Sequence, residues 1–375
     1  MKSLFTFLLT AITIGNFAQT INGSIFIDNV TRTYIIHLPA SYTASAQYPL
    51  VFNLHGYTSD ASQQMLYTQM NATADSNNFI VVYPNGVSNY WNAFNYGAND
   101  IKFIDSLIEK LSRDYSIDRS SVYSCGMSNG GFMSYSLACH LSNKIAAIAS
   151  VTGSLSAWDL QHCAIEHKMP VMQIHGTADP IVNYQTGGIN AGQGNFTGMS
   201  IETCLQFWKD TNDCLPISDT INILDINTTD SSTAQLIRFR NCADNSEVYF
   251  YKILNGGHTW PSGLIDIGNG NTNRDFNAST EIWNFFKRHK LNTQTGIRTT
   301  IQDESFIKIS PNPFTDKLKT NTSDPVENIS IFNTIGNIVY AGKEQEINTS
   351  RWPSGIYFAN IKTTNSLLKV KILKP

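Results

Sequence analysis

Residues 124–133 read SCGMSNGGFM, three glycines crowding one serine between an apolar segment of strand character, "SSVYSCG", and one of helical period, "FMSYSLACHLS". A chain that passes from extended to helical through Gly126-Met127-Ser128-Asn129-Gly130 turns sharply at Ser128. Glycine on either side removes side chains that would strike the neighbouring strand and helix. A strand that feeds directly into a helix in this way calls for crossovers and parallel neighbours.

The rest of the sequence keeps that rhythm. "FIDNVTRTYIIHLPASY", "YPLVFNLHGYTS" and "NFIVVYPNG" carry β-branched and aromatic runs closed by breakers, and read as strands. Ile104, Leu107, Ile108, Leu111 and Tyr115 recur at three and four, a helical stripe with Asn99 and Asp100 suited to its start. "MPVMQIHGTADP" and "SEVYFYKILNGGH" are strands running into loops; "SIETCLQFWKDT" and "STEIWNFFKRHK" are helices. The spacing predicts one α/β domain over residues 19–290, a mostly parallel sheet with helices on both faces.

Ahead of it, Lys2, the apolar run Leu4–Ile14 and Phe17-Ala18-Gln19 have the form of a secretory signal peptide over residues 1–18. No later stretch has the length of a membrane helix, so no stable membrane insertion is expected. Behind it, residues 291–304 read as a polar linker. Residues 305–375 read as a small β-sandwich of short strands, "FIKISPNPF", "ENISIFNTIGNIVY", "SGIYFANIKTT" and "LLKVKILKP". Hydrophobic residues at 42% against 15% charged exclude charge-driven disorder over most of the length. A net charge of -3 without any basic stripe excludes nucleic acid as a partner. The chain is expected to act as a monomer.

A serine hydroxyl needs a base within hydrogen-bond reach and an acid to orient that base. The turn resembles the nucleophile elbow of the α/β-hydrolases, a resemblance that implies the chain order serine, acid, histidine. Beyond the last strand lie His258, on a loop after Asn255-Gly256-Gly257, and His289, at a helix end in "KRHK"; His258 is the candidate base. Asp179, at the carboxyl end of a strand in "HGTADP", is the candidate acid, whereas Asp210, Asp213, Asp225 and Asp230 fall in helical or loose polar stretches. Oxyanion donors are expected from the backbone N–H of Asn129 and from "NLHGYTS", where Gly56 permits close approach and Tyr57 or Thr58 offers its amide, Tyr57 being the choice. His55 precedes the serine and is expected to support the substrate-binding site through hydrogen bonds rather than to act as the base. His162, Cys163 and His167 lack a fourth ligand at sensible spacing, so neither a metal site nor a cofactor is expected.

"LHGYTSD", "VVYPNG" with Trp91, "CGMSNGGFMSYSLAC", "IHGTADPIV" and "GGHTWPSG" together resemble the secreted polyhydroxybutyrate depolymerase-like and feruloyl esterase-like enzymes, a family of the α/β-hydrolase fold. The resemblance covers most of residues 30 to 290. It implies a Ser128, Asp179, His258 triad that hydrolyses carboxylic esters, feruloyl or aryl esters or hydroxyalkanoate polyesters, through an acyl-enzyme and without a cofactor. Acetylxylan is an alternative substrate. "G-Y-T" with "S-N-G-G" is also similar to hydrolases of aromatic polyesters such as poly(ethylene terephthalate), which usually carry Met where this chain has Asn129. The family pattern implies that Trp260 walls the acyl site. Trp91, Phe94 and Tyr96 in "NYWNAFNYG" are read either as rings that stack on substrate or as loop anchors. Cysteines in an exported chain suit disulfides. The resemblance implies Cys139–Cys163 and Cys214–Cys242, while Cys125 is read as a buried thiol and Cys204 is left unassigned. The tail, through "ISPNPF", "GIYFANIK" and "KVKILK", resembles the C-terminal sorting domains of the type IX secretion system of Bacteroidetes, which implies that machinery as a partner and an extracellular or surface location. Its only tryptophan, Trp352, is little to build a carbohydrate-binding surface on.

Overall fold

The structure, a computed structural model, describes residues 18–95, 97–189, 198–291, 308–322, 324–334, 337–364 and 367–375. Residues 1–17 of the expected signal peptide over 1–18 and residues 292–304 of the expected linker over 291–304 lie outside them. The chain divides into two compact units, Met1–Thr293 and Gln294–Pro375.

The first unit is built on strands β1 (Gln19–Ile27), β2 (Val30–Leu38), β3 (Tyr48–Leu54), β4 (Ile80–Pro84), β5 (Ile117–Met127), β6 (Ala147–Val151), β7 (Val171–Gly176), β8 (Ser218–Asn222), β9 (Thr233–Phe239) and β10 (Val248–Leu254). They form one sheet in the order β1-β2-β4-β3-β5-β6-β7-β10-β9-β8. The six central strands, β4 to β10, run parallel. Antiparallel pairs finish both edges. This is the mostly parallel sheet with helices on both faces that the strand and helix alternation anticipated.

Side-chain alternation along the central strands fills two cores at once. On β3, Leu50, Phe52 and Leu54 point to one face and Val51 to the other; on β4, Ile80 and Val82 oppose Val81 and Tyr83. Helices α3 (Asp100–Asp114), α4 (Asn129–His140) and α6 (Ile201–Thr211) cover the first face. Helices α1 (Ala61–Thr68), α2 (Met70–Asn77) and α7 (Ala278–Phe286) cover the second. The stripe on α3 buries Phe103, Ile104, Leu107, Ile108 and Leu111, and Asn99 caps its start by accepting from Lys102 N–H. Helix α4 is buried from Asn129 to Cys139, so its sequence is apolar nearly all round. A short α5 (Ala157–His162) follows β6. Cys139 is joined to Cys163 and Cys214 to Cys242, while Cys125 and Cys204 are buried free thiols.

The run from Phe26 to Tyr42 is not one strand. Asp28 and Asn29 take φ of 50° and 61°, two successive left-handed residues that make a tight hairpin turn pairing Ile27 with Val30. Leu291, expected at the start of the linker, still donates its N–H to Ser120 O (2.8 Å) and packs against the second core.

The second unit holds β11 (Lys308–Ser310), β12 (Lys317–Asn321), β13 (Val326–Asn333), β14 (Ile338–Gly342), β15 (Glu346–Asn348), β16 (Gly355–Thr363) and β17 (Leu367–Lys374). Two antiparallel sheets, β11-β12-β15 and β14-β13-β16-β17, share a core that includes Phe314, Leu318, Ile329, Ile331, Tyr357 and Ile372. Trp352 packs on Tyr357, 5.1 Å between ring centroids, and supports that core.

At the carboxyl end of β3, His55 is fully buried. Its Nδ1 lies 2.7 Å from Gly56 O, which can only accept, and its Nε2 lies 3.0 Å from Gly86 N–H, which can only donate; the proton therefore sits on Nδ1. The second of these bonds ties the loop after β3 to the loop after β4. Burial pushes the imidazole down from 6.5 to about 4. Between those values the unfolded chain binds a proton that the folded chain refuses, so this stability is fully present above about 6.5 and is lost as the pH falls through about 4. Urea unfolding at pH 7 and at pH 4 should show a loss of about 3 kcal/mol from this group. His55→Asn should have the shallower pH slope across that window, and an unchanged slope contradicts the assignment.

The packing around the turn at Ser128 makes a second test. A Cβ on Gly130 would stand 2.6 Å from His55 O and from the carbonyl carbon of Leu54, backbone atoms that cannot swing aside. Helix propensity alone makes Gly130→Ala more stable by about 1 kcal/mol. The overpacking predicts instead a loss of about 1 to 3 kcal/mol, read as a lower urea midpoint, and an unchanged or higher midpoint contradicts it.

Candidate active site

β5 ends at Met127 and α4 begins at Asn129, so Ser128 alone makes the turn. Its φ of 55° and ψ of -119° lie where residues with a side chain rarely sit. The strain is held by Ser128 N–H donating to Val151 O of β6 (2.8 Å) and by Ser128 O accepting from Phe132 N–H (3.0 Å). A Cβ on Gly126 would lie 2.6 Å from the Gly130 carbonyl carbon, so the strand reaches the helix only without one. Ser128 and His258 both line a cavity of about 440 Å³ at the carboxyl ends of the central strands.

Asp179 follows β7 and His258 follows β10, the neighbouring parallel strand. The two loops are tied by Thr177 N–H to Ile253 O (2.8 Å) and Ala178 N–H to Gly256 O (3.0 Å). His258 Nδ1–H donates to Asp179 Oδ2 at 2.8 Å, which leaves Nε2 as the basic nitrogen. Asp179 Oδ1 accepts from Ile181 and Val182 N–H, each at 2.8 Å, so both carboxylate oxygens are engaged and the side chain is buried. His289 instead pairs with Glu247 (3.3 Å) and does not line the cavity.

Beneath the acid lies a buried polar chain that the sequence did not suggest. His175 Nε2–H donates to Val182 O (2.9 Å) and stands 3.4 Å from Asp179 Oδ2. Its Nδ1 accepts from Gln173 Nε2 (3.0 Å), and Gln173 Oε1 accepts from Tyr135 O–H (2.6 Å). Burial lowers the His175 pKa, consistent with a neutral ring that donates through one nitrogen and accepts through the other.

The residues of the two expected oxyanion donors, Tyr57 and Asn129, line the same cavity as Ser128. Asn129 is the first residue of α4, where the helix offers its N–H no acceptor. In the loop after β3, Thr58 N–H is committed to Asn89 O (2.9 Å), which leaves Tyr57 as the free choice of the two. Gly56 brings this loop close, since a Cβ there would be 3.6 Å from Ser128 Cβ.

Three expected substrate-binding residues are not on the cavity wall. Trp91, His55 and Trp260 are 0%, 0% and 1% exposed, and a ring without exposed surface cannot stack on a ligand. Trp91 is the loop anchor of its two readings: its Nε1–H donates to His55 O (3.0 Å). Trp260 packs in the second core, and its N–H donates to Tyr67 O–H oxygen (3.0 Å). Of the other aromatics in that stretch, Phe94 lines the cavity and meets Phe132 at 5.1 Å, while Tyr96 lies outside the described residues. Tyr57, Tyr67, Tyr90, Ile181, Val182 and Ile265 also line it, and no Asp, Glu, Lys or Arg does so among the described residues. Tyr67 stands on α1, whose start was legible in Asp60, which caps it by accepting from Ser62 and Gln63 N–H. Ile181 and Val182 come after Asp179 and Pro180 in "ADPIV". Among the described residues no cluster of three or more His, Cys, Asp or Glu could hold a metal ion, and Cys163 is committed to its disulfide.

Residues 32–194, which include Ser128 and Asp179, match the family described as Esterase PHB depolymerase, and residues 308–374 match the Secretion system C-terminal sorting domain. A bifunctional acetylxylan esterase/xylanase of Neocallimastix patriciarum is 32% identical over 150 residues, 40% of this chain and 22% of that protein. A probable feruloyl esterase C of Aspergillus terreus is 32% identical over 190 residues, 47% of this chain and 62% of that protein. Feruloyl esterase D of Neurospora crassa is 26% identical over 281 residues, 71% of this chain and 86% of that protein. The chain spans less than two thirds of the length of the first two relatives. The likeness to the Esterase PHB depolymerase family thus covers residues 32–194, which hold Ser128 and Asp179 and stop short of His258, and the likeness to the secretion system C-terminal sorting domain covers residues 308–374.

Proposed function

We propose that this chain is a secreted serine esterase that hydrolyses uncharged carboxylic esters, those of aromatic acids first. The observation that carries the reading is a single cavity lined by Ser128 and His258, with His258 held by a buried Asp179. Ser128 Oγ attacks the ester carbonyl while His258 Nε2 takes its proton. The tetrahedral oxyanion is received by the N–H groups of Tyr57 and Asn129. His258 then gives the proton to the departing alcohol, and water, activated by the same nitrogen, releases the acid from the acyl-enzyme. Asp179 fixes the orientation of the imidazole throughout.

The preference for aromatic acyl groups rests on Phe94 and Phe132 in the wall and on the uncharged character of the lining residues. The relatives named as feruloyl esterases agree in chemistry with such a wall. Acetylxylan, hydroxyalkanoate polyesters and aromatic polyesters are the competing substrates. In the domain plan proposed here, residues 1–18 direct export, residues 19–290 catalyse, residues 291–304 link, and residues 305–375 address the chain to the type IX machinery for release or display outside the cell.

Ser128→Ala is expected to lower kcat by at least about ten-thousandfold on any ester substrate. Turnover within tenfold of the parent would overturn the serine mechanism. On methyl ferulate, kcat/KM is expected to exceed that on an acetylated xylan oligosaccharide by at least about tenfold, because an acetyl group leaves Phe94 and Phe132 unfilled. The reverse order would transfer the assignment to acetylxylan.

A further inference from the structure

The two oxyanion donors come from different segments, and the sheet does not fix their spacing. The β3–β5 ladder runs only as far as Leu54 opposite Gly126, short of both Tyr57 and Asn129. Something beyond the sheet has to hold the loop after β3 against the start of α4.

We propose that Trp91 is a positioning residue that fixes this spacing, clasped on one side by the Asn129 side chain and bonded on the other to the β3 loop. The inference rests on the serine esterase reading above. Trp91 N–H donates to Asn129 Oδ1 (2.6 Å), and Asn129 Nδ2 donates to Trp91 O (3.0 Å), so one amide engages both backbone groups of one residue. The indole Nε1–H reaches His55 O (3.0 Å), the carbonyl just ahead of Gly56 and Tyr57. His55 closes the chain by donating to Gly56 O (2.7 Å), with its ring 5.0 Å from the indole. Trp91 and His55 are wholly buried and Asn129 is 6% exposed, so little water competes for these bonds. The far end of the strut is anchored too. Asn92 N–H donates to Asp100 Oδ2 (2.7 Å), and Asp100 is held by Arg32 (2.5 Å).

A buried asparagine here does more than fill space, because each polar atom of its amide has a backbone partner on the strut. Oxyanion donors act only within a few tenths of an ångström of the right distance. A strut that loosens should therefore affect the transition state and leave ground-state binding almost untouched.

The test is steady-state hydrolysis of p-nitrophenyl butyrate by the full chain and by Trp91→Phe, Asn129→Leu, the double variant and Ser128→Ala. Trp91→Phe keeps an aromatic ring and removes the indole N–H, so it decides the matter even if Asn129→Leu fails to fold. Each single variant is expected to lose about tenfold or more in kcat, with KM within about twofold of the parent. Because both substitutions break one chain of contacts, the double variant should fall no more than about twofold below the worse single variant. Unchanged kcat, a loss carried by KM, or losses that multiply in the double variant would overturn the proposal. Turnover retained by Ser128→Ala would bring down the serine mechanism instead, and the strut with it.

Discussion

One residue in a left-handed backbone conformation organises the first unit. Ser128 turns the chain from β5 into α4 at φ 55°, a geometry that costs a residue with a side chain roughly 1 to 3 kcal/mol and persists only where the surroundings over-determine it. Those surroundings are backbone against backbone. Leu54 and His55 of the β3 end, Gly126 of β5 and Gly130 of α4 meet without room for a Cβ at either glycine. The same closeness sets the start of α4 beside the loop after β3. In this way the turn that the proposed nucleophile needs traces to one packing constraint, while the spacing of Tyr57 and Asn129 is left to the proposed Trp91 strut.

The proposed acid and base, Asp179 and His258, rest on a second layer of support. Asp179 accepts hydrogen bonds from two backbone N–H groups and from His258 Nδ1–H, and His175 holds Val182, the source of one of those amides. Gln173 and Tyr135 continue that chain into α4. Helix α4, which carries the proposed donor Asn129, is thus connected to β7, the strand ahead of Asp179, through buried hydrogen bonds. Such a network is strong because it is dry, and it leaves His258 a single orientation.

Much of this was legible in the sequence because it is local. The glycine pattern, the strand ahead of it and the helix behind it are encoded within Ser121 to Ser142, and the candidate acid and base each end a β-branched or aromatic run. What was not legible is what a residue faces across the fold. Trp91 and Phe94 sit in one short loop, yet Trp91 is clasped by Asn129 and Phe94 faces the cavity. No period separates them, since the partners come from a distant helix. β8 was missed because all five of its residues are exposed and lack the alternation that marks a half-buried strand. β6 was missed because it is five residues, small and wholly buried. The Asp28-Asn29 turn was hidden inside an apolar run although its dipeptide suits a hairpin.

The most direct measurement is covalent. Stoichiometric reaction of the full chain with a fluorophosphonate, followed by digestion and mass mapping, asks whether the strained serine is an activated nucleophile. One adduct per chain on Ser128, lost when Asp179 is replaced by alanine, is the expected result. An intact Ser128 peptide after saturating reagent, or a label carried by a different serine, would contradict it.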